Sequence, residues 1–184
     1  MKNLSKNILG LCLVGMGLGV GAAAQAVTTA PGPYYAMPSW DQSLPVATRF
    51  IVLSNMNNEG VLDRETGLVW EQSPVFALSS WFDASRGCIE LNKGKRRGWR
   101  LPSIQELSSL IDDTNIDPAL PTDHPFTFNT GLGVLWSATT YSKLPDAAYT
   151  LNFNSGRFSA VFASNKILVS GKWCVRGGQA PEAQ

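Results

Sequence analysis

The stretch GWRLPSIQELSSLI, residues 98–111, predicts a short helix with a well-defined start. Ser103 and Glu106 have the spacing of a capping box, in which each side chain accepts a hydrogen bond from the other residue's backbone N–H. Pro102 stands just before the cap. An apolar stripe follows at helical spacing, formed by Ile104, Leu107, Leu110 and Ile111. We therefore predict a helix over residues 103–111 whose apolar face joins a core.

The first 26 residues predict a secretory signal peptide. Lys2 and Lys6 supply the positive start, residues 8–24 form an apolar run, and Ala24-Gln25-Ala26 is a small-x-small cleavage site. A retained membrane anchor is the alternative, but the five glycines and short length of the run disfavour it. We therefore predict export to the periplasm or the extracellular space, with no membrane span after cleavage.

Cleavage after Ala26 changes both the cysteine count and the charge. Cys12 leaves, so Cys88 and Cys174 remain, and an exported chain with two cysteines favours one disulfide. Two free buried thiols are the alternative. The loss of Lys2 and Lys6 leaves 13 basic and 14 acidic residues, a net charge of −1. Attraction to a polyanion therefore requires a local basic patch.

The remaining chain divides into three parts. Residues 27–48 carry four prolines and no hydrophobic period, which predicts an extended leader. Residues 49–177 hold the strand and helix patterns of one folded domain. Residues 178–184 predict a flexible tail.

Within the domain the patterns alternate in type. Strands are expected over residues 49–55, over a hairpin formed by 61–63 and 68–71, and over 135–140, 148–153, 158–163 and 173–177. A second helix is expected over residues 80–91, with a cap at Ser80 and with Cys88 on its apolar face. Residues 112–134 contain three prolines and form a long irregular loop. This order predicts an α+β fold in which two helices pack on a small antiparallel sheet.

Five motifs resemble the C-terminal domain of the Legionella collagen-like adhesin, a bacterial domain family. In chain order they are DRETGLVWEQ, GWRLPSIQELSSLID, LWSATTY, AAYTLNFNSGRF and WCVRGG, and the resemblance covers roughly residues 61–177. The resemblance implies a C-type-lectin-like fold and a disulfide between a helix cysteine and a last-strand cysteine, here Cys88 and Cys174. It also implies adhesion through sulfated glycosaminoglycans, although the collagen-like repeats are missing here.

The run NKGKRR, residues 92–97, is the candidate ligand site. Lys93, Lys95, Arg96 and Arg97 are its cations, and such runs bind heparin-like polymers because sulfate groups pair with lysine and arginine. A solvated loop is the alternative interpretation. Arg100 differs from these four, because it stands inside the helix motif. We expect it to lie partly buried and to pair with Glu106.

Other side chains predict less specific roles. Phe126 and Tyr141 are candidates for exposed contacts near the long loop, whereas most tryptophans belong to core motifs. Aspartates of the loop could hold calcium or simply form turns, and they carry no calcium-binding motif: Asp112, Asp113, Asp117 and Asp123. We predict no metal and no cofactor.

Catalysis has little support in the sequence. His124 is the only histidine, and the common nucleophile and metal motifs do not occur. We predict a binding module for an anionic glycan, with no nucleic acid as partner. The alternative is an envelope protein that contacts another protein through residues 112–134.

Overall fold

The computed structural model describes residues 43–75, 77–128, 133–154 and 161–178. The predicted signal peptide, the leader up to residue 42 and the tail from residue 179 lie outside these residues. No helix in the described ranges is long and apolar enough to cross a membrane.

The described residues form three α-helices and eight strands in an α+β arrangement, as predicted. In chain order they are α1 Val46–Arg49, β1 Phe50–Val52, β2 Gly60–Asp63, β3 Leu68–Glu71, α2 Trp81–Glu90, β4 Trp99–Arg100, α3 Ile104–Ser108, β5 Val134–Thr140, β6 Ala147–Asn152, β7 Val161–Asn165 and β8 Val175–Arg176. Helix α1 was not expected, since it begins inside the segment predicted as an extended leader.

The strands form two antiparallel sheets, whereas the sequence predicted one. The first sheet has the order β1-β2-β3-β8-β4, and the second has the order β5-β6-β7. The last strand, β8, lies between β3 and β4 and pairs with both. The late meander therefore remains a separate sheet, because its neighbour in sequence, β8, belongs to the first sheet.

The predicted hairpin is confirmed in the first sheet. Strands β2 and β3 pair from Gly60 opposite Glu71 to Asp63 opposite Leu68. Gly67 closes the turn with a φ of 70°, a left-handed conformation that glycine adopts readily. The expected strand over 49–55 is shorter than predicted, because a 3₁₀ turn over Ser54–Met56 redirects the chain into β2.

Both predicted helices are present, and α3 begins as its sequence predicts. Ser103 Oγ accepts the Glu106 N–H at 3.1 Å, and the Glu106 carboxylate accepts the Ser103 N–H at 2.7 Å. The helix ends at Ser108, three residues earlier than predicted. The hydroxyls of Ser108 and Ser109 donate to backbone carbonyls of the helix, a bond that competes with helical pairing.

The core joins the two sheets to the two longer helices. Trp70, Trp99, Trp136 and Trp173 are at most 2% exposed, which confirms the prediction that most tryptophans are buried. Cys88 on α2 and Cys174 next to β8 form a disulfide, as predicted. The disulfide therefore fastens α2 to the start of β8, which lies between β3 and β4 in the first sheet.

The described part of the long loop is irregular, as predicted, but some of its apolar residues belong to the core. Leu120 and Phe126 are 2% and 5% exposed. The Ala119 N–H donates to the Phe153 carbonyl at 2.7 Å, and the Thr127 N–H donates to the Gln72 carbonyl at 2.9 Å. The loop is thus held against the protein near the middle and near the end of the stretch 112–128.

Candidate functional site

Residues Lys93–Arg97, here called the basic turn, reverse the chain between α2 and β4. The Arg96 N–H donates to the Lys93 carbonyl at 3.0 Å. The two residues between them, Gly94 and Lys95, have φ values of 60° and 57°, as a type I′ turn requires. A Cβ added at Gly94 would lie 2.5 Å from the Met56 Cβ, so only glycine fits there. The turn therefore has one tightly defined backbone shape.

Two carboxylates fix the basic turn to the first sheet. Glu59 accepts the Gly94 N–H at 2.6 Å. Glu71 Oε1 lies 3.0 Å from Lys93 Nζ, which also donates to the Ser73 carbonyl at 2.6 Å. Lys93 is half-buried in this pair. The structure thus separates Lys93 from the other predicted site residues, because its charge is already neutralised.

Glu71 also connects the basic turn to the disulfide. Its carboxylate is buried, and Oε2 accepts the Cys174 N–H at 2.8 Å. The other cysteine, Cys88, lies on α2 just before the turn begins. A buried carboxylate is stable only when it is paired and hydrogen-bonded, and Glu71 meets both conditions. Glu71 therefore holds both Lys93 of the basic turn and the disulfide-bonded Cys174 in place.

Lys95, Arg96 and Arg97 project from this base and are exposed. Their own backbone is held from below, since Trp99 Nε1 donates to the Arg96 carbonyl at 3.0 Å. Arg176 of β8 joins them, because its Nε donates to the Arg97 carbonyl at 2.8 Å. Among the described residues, no carboxylate forms an ion pair with any of these four cations.

Sequence reasoning missed three residues of this site: Glu59, Glu71 and Arg176. Their contacts with the basic turn or with Cys174 span from 22 positions, between Glu71 and Lys93, to 103 positions, between Glu71 and Cys174. A hydrogen bond to a backbone group leaves no local pattern in the sequence. For Arg176, the sequence signal was the motif WCVRGG, which contains this residue and strand β8.

Arg100 has the predicted structural role. Its guanidinium binds Glu106 with two hydrogen bonds of 2.8 and 2.7 Å, and it also donates to the Gly177 carbonyl at 2.8 Å. The side chains are 17% and 11% exposed. Because Glu106 also completes the cap of α3, this pair locks β4, the helix start and the end of β8 together.

Phe126 does not form the exposed contact that was predicted, whereas for Tyr141 such a contact remains a prediction. Phe126 is buried, with its ring 5.2 Å from Phe50 and 4.7 Å from Trp173, so the prediction was wrong for this residue. Its position is explained by the loop, which folds inward rather than outward. Tyr141 is half-buried and packs edge-on against Tyr149 at 5.4 Å.

The aspartates of the loop form turns in this structure. Asp112 accepts hydrogen bonds from the Thr114 hydroxyl and N–H, at 2.6 and 2.9 Å, and these bonds lower the pKa of its carboxyl. Asp117 and Asp123 adopt left-handed φ values of 48° and 64°. In the described ranges no three His, Cys, Asp or Glu side chains are grouped so that they could hold a metal ion.

His124 is engaged in packing. Its ring lies 5.8 Å from both Phe126 and Phe128, and Nδ1 accepts the Phe126 N–H at 3.2 Å. Burial lowers the pKa of the imidazole, because the charged form loses hydration. The neutral ring therefore suits this environment.

Comparison with known families agrees with the motifs of the sequence. A family model, the Lcl C-terminal domain, matches residues 59–176. This range runs from just before β2 to the end of β8, and it includes both cysteines and the whole basic turn. No curated protein matches the chain.

Proposed function

This chain belongs to the Lcl C-terminal domain family, and we propose that it is an exported module that binds sulfated polysaccharide. The observation that carries the proposal is the basic turn, which presents Lys95, Arg96 and Arg97 to solvent. Sulfate groups accept charge-assisted hydrogen bonds from lysine and arginine. Three adjacent cations can meet successive sulfates along one polymer.

The rigidity of the basic turn supports binding. Glu59, Glu71 and the close approach of Gly94 to Met56 already define the backbone. A ligand therefore has to order only the three side chains, which lowers the entropic cost of binding.

Charge distribution supports a local site. The chain without its first 26 residues has a net charge of −1, so overall charge does not attract a polyanion. The attraction has to come from the basic turn and its neighbour Arg176. Such attraction acts over about 10 Å at 0.1 M salt and weakens as salt is added.

Heparin binding across a salt series tests this function. The variant Lys95→Ala/Arg96→Ala/Arg97→Ala should bind about 10- to 100-fold more weakly, since each exposed ion pair contributes up to about 1 kcal/mol. The control Arg64→Ala/Arg86→Ala/Lys143→Ala removes the same residue types from other exposed positions. It should bind like the wild type. Equal loss in both variants would reject a site at the basic turn.

The proposal includes a C-type-lectin-like fold and a non-catalytic role. The pairing of β8 with β3 closes the domain on itself, and the disulfide joins α2 to that closure. Both features agree with the fold that the family resemblance implies. His124 packs between phenylalanine rings, which suits a structural residue better than a catalytic one.

Export is also part of the proposal. The disulfide between Cys88 and Cys174 suits an oxidising compartment. N-terminal sequencing of the protein recovered outside the cytoplasm should begin at Val27. A chain that retains Met1 and stays in the cytoplasm would contradict export.

A protein partner is a second candidate function, favoured by an exposed apolar strip at residues 167–169. Ile167, Leu168 and Val169 are 74%, 57% and 58% exposed. Three consecutive exposed apolar residues are unusual on a surface without a binding role. The strip, rather than the loop over 112–134, is thus the better contact surface.

Salt dependence separates the two candidates. Binding of an envelope protein through the strip should tolerate salt and be lost in Leu168→Asp. The alanine variant of the basic turn should leave such binding unchanged. Salt-sensitive binding that is kept in Leu168→Asp and lost in the alanine variant of the basic turn would favour the polysaccharide.

A further inference from the structure

We propose that Arg176 is a ligand-binding residue of the same site, where it takes a sulfate group beside Arg97. This inference rests on the proposed polysaccharide function. It adds a residue from the far end of the chain, 79 positions from Arg97, to a site otherwise formed by one turn.

The bond between Arg176 and Arg97 defines which atoms remain for a ligand. Nε of Arg176 donates to the Arg97 carbonyl at 2.8 Å, so this nitrogen is occupied. Within the described ranges, the two terminal nitrogens have no hydrogen-bond or ion-pair partner. A guanidinium held by one nitrogen can therefore offer its other two to an oxyanion.

Among the described residues, the other arginines that are not exposed, Arg49 and Arg100, differ from Arg176. Arg49 binds Asp63 and Glu65, and Arg100 binds Glu106 with two hydrogen bonds. These guanidinium groups are half-buried or buried, and carboxylates neutralise them. Arg176 is also half-buried, but its one side-chain hydrogen-bond partner in the described ranges is a neutral carbonyl.

Partial burial makes this cation effective. A partly buried charge interacts more strongly with a ligand than a fully hydrated one, because less water screens it. Its position is set by β8, which pairs with β3 and β4. Arg176 thus supplies a half-buried cation next to the three exposed side chains of the basic turn.

The substitution Arg176→Gln tests the proposal. Glutamine places an amide nitrogen where arginine has Nε, so it can keep the bond to the Arg97 carbonyl while it loses the charge. We expect heparin binding about fivefold weaker at 0.15 M salt, the value of one ion pair. The slope of log affinity against log salt should fall by about one. Arg86→Gln removes one exposed charge elsewhere and is the matched control.

The outcomes distinguish this inference from the function on which it rests. Weak binding by Arg176→Gln, with the melting temperature of the wild type, supports a ligand-binding Arg176. Wild-type affinity in Arg176→Gln, while the alanine variant of the basic turn loses binding, overturns the inference and leaves the function standing. No heparin binding by the wild type overturns both. A lowered melting temperature in Arg176→Gln with affinity and salt slope unchanged assigns Arg176 a structural role and also overturns the inference.

Discussion

Arg97 and Arg100 lie three residues apart, and the structure uses them in opposite ways. Arg100 is half-buried and binds a carboxylate and two carbonyls, whereas the side chain of Arg97 is exposed. The difference comes from what each residue faces. Glu106 comes back toward Arg100 through the capped start of α3, and no described carboxylate pairs with Arg97. Within one basic stretch, the arginine that meets a carboxylate therefore has a structural role, whereas the arginine without a carboxylate partner stays on the surface.

Removal of the disulfide should have the largest effect on stability. The basic turn contacts Cys174 through Glu71, and β4, which carries Arg100, pairs with β8 directly after Cys174. The double substitution Cys88→Ser/Cys174→Ser opens a link across 86 positions, and we expect a loss of about 4 kcal/mol of unfolding free energy. Urea denaturation measures the loss. A change in unfolding free energy below about 1 kcal/mol would mean that neither the basic turn nor the pair of Arg100 with Glu106 depends on the disulfide.

Arg100→Ala should destabilise the fold, because it removes the ion pair with Glu106. It leaves Glu106 partly buried without its cation, which should cost about 3 kcal/mol. Arg97→Ala should change stability by no more than about 0.5 kcal/mol, as surface substitutions do. Equal losses in the two urea titrations would remove the distinction between these arginines.

Gly94→Ala should damage the shape of the basic turn without touching a cation. The new Cβ meets Met56 in a left-handed conformation, so we expect a loss of about 2 kcal/mol. Heparin affinity of the folded variant should fall as well, because the turn has to move. Wild-type affinity together with reduced stability would mean that binding does not need the turn's backbone shape.

Acid should weaken the fold modestly while it spares the basic turn. Burial lowers the pKa of His124, so the folded protein resists a proton that the unfolded chain accepts below about pH 6.5. This contribution of His124 to stability should therefore be fully present above this pH and be lost as the pH falls below it. The variant His124→Gln should lose this pH dependence in thermal melts. Heparin affinity should not follow it, since arginine stays protonated.

Local patterns predicted the capped start of α3, the hairpin of β2 and β3, the disulfide and the pair of Arg100 with Glu106. Each of these depends on residues close in sequence or on a motif. The division into two sheets was not predicted, because it depends on where β8 inserts. Phe126 was misplaced for a similar reason, since nothing local shows that the long loop folds inward onto Trp173.

The candidate site was predicted in part. The sequence indicated its cations, but not that Lys93 is neutralised by Glu71 or that Arg176 stands beside Arg97. Both contacts join residues far apart in the chain. A run of like charges therefore identified the region, and tertiary contacts decided which of its charges remain available.

The position of the ligand is the most direct test of the central claim. We would titrate the isotope-labelled, oxidised protein with a heparin oligosaccharide and follow the backbone amide signals by NMR. We expect shifts at residues 95–98 and 176–177, with small shifts over residues 112–128. Shifts centred on residues 112–128 or 167–169, or no saturable shifts, would contradict a polysaccharide site at the basic turn.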